Sequence, residues 1–313
     1  MRNTKLWMNV LWILVAGYGV AEFANRVFSL SIPLAPLLLV LVAFALIHGA
    51  MRYRWRGMAA FIVICLVVSN ILENTSILTG FPFGHYHYTS SGLGPKLFLV
   101  PVLIGPAYFS TGYLAWTLSN VLIGEVRRES SVFTTFAVPL IASFLMVMWD
   151  LCLDPGASTV GHVWIWEQGG GYFGVPLTNF LGWFFTVYLF LQLFAVFLRG
   201  RKAGPEVTWP RSYYAQAVVM YAVIGLTFVL DYLVAGSNSP VIDAAGVVWQ
   251  TRSIAESAAT VSIFTMIFAA ALSAVKVLQG SADVPKTQVD AWTDGSATTD
   301  TSAPIARLRQ GAG

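Results

Sequence analysis

Charge is scarce in this chain. Of 313 residues only 11% are charged, against 57% hydrophobic, and the mean hydropathy is +0.69. That excludes an ordinary soluble domain and marks a polytopic membrane protein. Cysteine is scarcer still. Cys65 and Cys152 both fall inside apolar runs, so they form neither a disulfide framework nor a metal-type spacing and read as buried free thiols. Histidine occurs four times, as His48, His85, His87 and His162. Membrane di-iron hydroxylases need many more imidazoles in repeated boxes, so that class is set aside. Lys and Arg are nearly missing from one set of loops, which argues against an aspartate-rich diphosphate site, because such sites come with cations for phosphate. The net charge of +3 reflects the loop bias described next and points to no nucleic-acid partner.

The apolar runs are Leu6–Val27, Ile32–Ala50, Gly57–Leu78, Leu97–Ile123, Phe133–Leu153, Val175–Leu198, Tyr213–Ala235 and Ser257–Leu278. Most reach the roughly 20 residues that cross about 30 Å of hydrocarbon. The fold class expected is therefore all-α, a bundle of about eight transmembrane helices. The first run is expected to be retained, since no small-residue cleavage site follows it. Fifteen of the eighteen Lys and Arg residues fall at the N-terminus, in alternate loops or after the last run; only Arg26, Lys96 and Arg252 lie on the other side. This split predicts both termini cytoplasmic, in a multi-pass protein of the cell membrane. Residues 1–280 form the membrane domain. The tail 281–313, rich in Ser, Thr, Ala, Asp and Gly, cannot bury a core and is expected to be disordered.

The few acids that exist are not scattered. Glu22, Glu73, Asp150, Asp154, Glu167, Asp231, Asp243 and Glu256 all map to the outer end. A carboxylate in hydrocarbon is costly, so such residues usually face an interior cavity and act there. Two outer loops, Gly80–Lys96 and Pro155–Gly174, are rich in Gly and aromatics and poor in charge. Such segments fold back over a cavity or lie at headgroup level. Glu73 and Asp150 each stand twelve residues before a Gly-His pair, and each loop runs on to a Val-Pro pair. Duplication and coincidence both account for that pattern.

Glu73 sits near the outer end of the third run, where an apolar setting favours the neutral carboxyl and makes it a candidate general acid. In His85-Tyr86-His87-Tyr88 an extended backbone puts both His on one side and both Tyr on the other. The two imidazoles are candidate proton-relay groups or loop stabilisers. Asp150 and Asp154 are four apart, on one helical face. Pro155 predicts a helix break there, leaving Asp154 at the mouth and Asp150 one turn deeper. Two such carboxyls titrate as a pair and can both give and take a proton. Trp149, Trp164, Trp166, Tyr172 and Phe173 either line a site, where ring faces attract cations, or anchor at the interface. Asn179 and Trp183 lie a turn apart early in the sixth run. Asp231 ends the seventh, and Arg252 with Glu256 opens the eighth, where an i,i+4 ion pair is one reading. The candidate catalytic residues are thus Asp150, Asp154, Glu73, His85 and His87. The candidate substrate-binding residues are Tyr86, Tyr88, Trp149, Tyr172, Asn179, Trp183, Asp231 and Glu256. No metal ligand set is identified.

Glu73, the stretch Thr79–Tyr88, Asp150–Pro155, Gly171–Pro176, Asn179-Phe180 and Gly182-Trp183 together resemble the membrane-bound carotenoid biosynthesis proteins that include the carotenoid 1,2-hydratases. The resemblance covers about residues 60–275. It implies a cofactor-independent hydratase acting on acyclic ends of γ-carotene or bacterioruberin precursors. It also implies a long isoprenoid substrate held in the bilayer and other carotenoid-pathway enzymes as partners. The residues are consistent with that chemistry: a desolvated acid protonates the terminal alkene, and a carboxylate takes the proton of the attacking water. A protonation-initiated cyclase or isomerase, or a lipid-binding or proton-coupled transport protein, are the alternatives.

Overall fold

The computed structural model describes residues 4–89, 93–201 and 209–280; the expected disordered tail lies outside them. The helices are α1 (Thr4–Val27), α2 (Leu34–Thr79), α3 (Ile104–Ile123), α4 (Val132–Asp154), α5 (Leu177–Gly200), α6 (Arg211–Val234), α7 (Thr251–Ser262) and α8 (Phe268–Gln279). A π-helical turn, Ile263–Ile267, joins α7 and α8 into one rod. Six helical segments are long and apolar enough to cross a membrane. One of these, α2, is two limbs joined at Arg54, which has φ +57°. The 20-residue α3 packs among them as a further helix of the described residues. This is an all-α membrane helix bundle.

Two boundaries differ from expectation. The run from Leu97 does not start as a helix; Lys96–Leu97 and Val100–Pro101 form a small hairpin, β2 and β3, and α3 begins at Ile104. Pro101 supplies no N–H and biases Val100 away from helical angles. Conversely, Pro155 does not break the helical rod where α4 ends. The chain continues as a π-helical turn, Pro155–Val160, with Asp154 itself helical at φ −60°, ψ −45°. The wider turn relieves the clash a proline ring makes in a regular helix, and Ser158 Oγ donates to the Asp154 carbonyl (2.8 Å).

Cross-helix bonds fix how the bundle runs. Trp12 Nε1 donates to Ser212 Oγ (2.9 Å) near one end and Arg26 Nε pairs with Asp231 (2.7 Å) near the other, so α1 and α6 are parallel neighbours. At the Arg-rich end Arg52 pairs with Glu125 (2.7 Å), and Arg201 donates to the Tyr53 carbonyl at the α2 break (3.2 Å). His48 is fully buried. Its Nε2 faces the Tyr213 carbonyl (2.8 Å), so it donates there and Nδ1 accepts from Tyr113 Oη (2.6 Å). Between the two ends lies an aromatic layer in which Phe61 meets Phe109, Phe190 and Phe194 edge-on. Cys65 and Cys152 are free and buried, as expected.

The opposite end is capped by the two aromatic loops. Strand β1 (Tyr86–Tyr88) pairs antiparallel with β4 (Trp164–Trp166), Tyr86 opposite Trp166 and Tyr88 opposite Trp164. Gly80 stops α2 in a left-handed conformation, φ +82°. Ser76 Oγ then accepts from Phe83 N (3.0 Å) and donates to the Gly84 carbonyl (2.9 Å), folding the loop back. The loop rests on α5 at Gly182, where a Cβ would come within 2.9 Å of Phe83 Cα. A second hairpin, β5 (Pro240–Ile242) with β6 (Val248–Gln250), joins α6 to α7.

Candidate active site

The strand period decides what the cap presents inward. Tyr86 and Tyr88 are buried and His87 between them is exposed. The two phenols converge on Glu73, near the end of α2. Glu73 Oε2 accepts from Tyr86 Oη and from Tyr88 Oη, the latter at 3.0 Å. Glu73 Oε1 accepts from Tyr108 Oη of α3 at 2.7 Å. Burial pushes the Tyr86 and Tyr88 phenols well above their ordinary range, so both keep their protons.

The partner strand serves a second carboxyl. Trp164 Nε1 (2.8 Å) and Trp166 Nε1 (3.3 Å) both donate to Asp154 Oδ1. Asn179, in the first turn of α5, donates from one amide nitrogen to Asp154 Oδ2 (2.6 Å) and Asp150 Oδ2 (2.9 Å). Asp150 and Asp154 are each 1% exposed. The other Asp150 oxygen, Oδ1, has no hydrogen-bond partner among the described residues. The α4 spacing thus delivers both aspartates to one face as expected, joined by an amide.

Glu73 and Asp154 line one cavity of about 510 Å³. Tyr86, Tyr88, Trp149, Asn179 and Trp183 line it too. Trp183 stacks on Tyr108 with ring centroids 4.2 Å apart. Asp150 is not a wall residue; it stands behind Asp154. Such a cavity, apolar with a few convergent polar groups, is the usual form of a small-molecule site.

Other sequence candidates lie elsewhere. His85 and His87 are exposed on the outer side of the cap, and His87 Nδ1 approaches Glu167 at 3.4 Å. Tyr172 is outside the cavity, its hydroxyl donating to the Leu151 carbonyl (3.2 Å). Glu256 is exposed, and the Arg252 guanidinium sits 5.2 Å over the Tyr232 ring, with no Arg252–Glu256 ion pair among the described residues. Asp243 caps the β5–β6 turn, accepting from the N–H groups of Ala245 and Val247 (both 2.9 Å). Asp231 is not in the cavity wall but binds Arg26 Nε (2.7 Å), and Arg26 also pairs with Glu22. Glu22 and Arg26 both line the cavity. Tyr108 was not foreseen. Its signal was a phenol inside an apolar span, which needs a polar partner. Among the described residues no three His, Cys, Asp or Glu side chains group as a metal site requires.

A family model described as carotenoid biosynthesis protein matches residues 34–251. The chain belongs to this family. No curated protein and no solved structure matches it. Family membership gives the protein a role in carotenoid biosynthesis. The matched segment contains Glu73, Tyr86, Tyr88, Tyr108, Asp150, Asp154 and Asn179; it leaves out α1 with Glu22 and Arg26, and also Glu256.

Proposed function

We propose that this family member is a hydratase of the cell membrane, its cap facing outward, that adds water across the terminal C1–C2 double bond of an acyclic carotenoid end. One observation carries the reading: two buried carboxyls face the same apolar cavity with opposite kinds of partner. Among the described residues, the hydrogen bonds that reach the Asp154 carboxyl oxygens come from N–H groups of two indoles and an amide, while the nearby Ser158 hydroxyl bonds the Asp154 backbone carbonyl. The N–H groups donate and never accept, so they hold Asp154 as a carboxylate. Glu73 is met only by hydroxyls, which can donate or accept. They tolerate a carboxylic acid as well as a carboxylate.

The division of labour follows. Glu73 gives its proton to C2, and the alkene electron pair forms the new C–H bond, leaving a tertiary cation at C1. Trp149, Trp183, Trp164 and Trp166 line the wall, and aromatic rings beside the reacting carbon favour that cation. Water attacks C1 while Asp154 takes one of its protons. The product is a tertiary alcohol, and one water is consumed. Return of one proton from Asp154 to Glu73 resets the site.

The aromatic wall also supports a second reading, a cyclase or isomerase that starts with the same protonation and excludes water. A transport route has less support, because the aromatic layer around Phe61 separates the polar groups at the two ends. The deciding experiment expresses the gene in a lycopene-producing host and weighs the extracted carotenoids. Gain of one water mass supports the hydratase. A new product of unchanged mass supports cyclisation. No new product removes both.

A further inference from the structure

The catalytic end occupies only part of the cavity. A second arm is walled by Leu34, Leu37, Leu38 and Leu41 of α2 and by Ile224 and Phe228 of α6. The four leucines recur at i, i+3, i+4 and i+7, so they share one face of the first limb of α2. Leu37, Leu38 and Leu41 are 7%, 5% and 8% exposed, whereas Leu34 is 56% exposed. The arm therefore reaches the surface at the first turn of α2. The surface around it is largely apolar: Phe28, Leu30 and Leu39 are exposed, and the polar groups between them are the small hydroxyls of Ser29 and Ser31. A water-facing mouth would be rimmed by polar groups; an apolar rim suits lipid. Arg26, the cation beside the arm among the described residues, pairs with Glu22 and Asp231, the latter tying α1 to α6 there. Size points the same way. Pockets of roughly 300–1,000 Å³ enclose a drug-sized molecule, so about 510 Å³ takes only one end of a long isoprenoid.

We infer that the opening beside Leu34 is a lateral portal. The reacting end of a linear isoprenoid lies at Glu73 and Asp154, its next segment runs along the leucine stripe, and the remainder passes beside Leu34 into the bilayer. This deepens the hydratase reading and rests on it for the identity of the reacting end. It makes the acyclic end and the adjoining chain the recognised parts, and leaves the far end outside the protein.

The test uses the wild-type protein in lipid nanodiscs with two diazirine-bearing isoprenoids, one labelled near the acyclic end and one midway along the chain. The mid-chain probe should crosslink to residues 34–41, and the terminal probe to the Trp149–Trp183 end. Mid-chain labelling of α5 or of the α7–α8 rod instead would overturn the portal. As a second measurement, Leu38→Trp fills the arm and should weaken binding of the long isoprenoid roughly tenfold or more, by less as the chain is shortened. A loss that is the same at every chain length also counts against the portal. Both readouts are binding. Labelling as expected without any hydrated product keeps the portal and sinks the hydratase; hydrated product with mid-chain labelling elsewhere does the reverse.

Discussion

Glu73→Gln separates the chemistry of the site from its architecture. In the wild-type protein two phenols donate to Glu73 Oε2 and one, Tyr108, to Oε1. A glutamine can keep its carbonyl oxygen toward Tyr86 and Tyr88 and turn its NH₂ toward Tyr108. Only the Tyr108 hydroxyl must rotate, from donor to acceptor. All three contacts survive, so the stability change should be about 1 kcal/mol, the net worth of one ordinary hydrogen bond. The chemical cost is larger. Loss of a general acid removes about 10²- to 10⁴-fold in rate, or about 3–5 kcal/mol of barrier lowering. The assay compares carotenoid products by mass at equal membrane levels of the two proteins. Quenching of tryptophan fluorescence by the polyene reports binding, since Trp149 and Trp183 line the cavity. The expected result is near-normal expression and binding with alcohol reduced at least about 10²-fold. A well-expressed Glu73→Gln protein that still forms alcohol at a comparable rate would refute the assignment and pass the acid role to the aspartates.

Asp154→Asn should cut turnover by about 10²-fold or more, and Asp150→Asn by less, because Asp150 acts only through Asn179; equal losses in product assays would contradict the division between a reacting carboxylate and one behind it. Asn179→Leu removes both amide bonds to the aspartates, and at about 1.5–3 kcal/mol for each bond to a charged group it should lower unfolding stability in detergent by about 3–6 kcal/mol. An unchanged melting curve would show that the amide bridge contributes nothing. His87→Ala, at an exposed position on the outer face of the cap, should leave turnover within a few-fold of wild type, as surface substitutions do; a large loss measured at equal protein level would return the imidazole to the mechanism. A reporter fused after Gly313 should be cytoplasmic on the charge split, and an exported one would turn the cap to the cytoplasm.

Much of this site was legible because short-range periods are geometric. The i,i+4 spacing brought Asp150 and Asp154 to one face, and the strand period divided the His-Tyr-His-Tyr run into two sides. Period alone does not say which side turns inward; the structure turns the two Tyr inward and leaves His85 and His87, candidates for proton relay or loop stabilisation, exposed on the outer side. The choice is made by Glu73, which the phenols can reach from below the cap. Tyr108 comes from another helix, 35 residues from Glu73 along the chain, and no local pattern connects the two. The helix at Pro155 was misread for a related reason. The residue before a proline is disfavoured in helical angles but not barred from them, and here Asp154 stays helical while the chain after it widens into a π turn.

Residue types also understate roles that depend on partners. Glu73, Asp150 and Asp154 are three buried carboxyls, and their positions in apolar spans give each an equal claim to be acid or base. What separates them is the donor set each one meets. Trp164 and Trp166 were read as cavity wall or interfacial anchors, yet their indole N–H groups are what keep Asp154 acceptor-only. Tyr86, Tyr88 and Tyr108 leave Glu73 free to hold a proton or release it. The β1–β4 register sets Tyr86 opposite Trp166 and Tyr88 opposite Trp164, so one small ribbon supplies hydroxyls to the acid and N–H groups to the base. A one-residue slip of either strand would turn its inward pair outward and leave one carboxyl with partners from the helices alone. The cap is therefore part of the acid–base apparatus, and the division of roles lies in a strand pairing that joins residues about eighty apart in the chain.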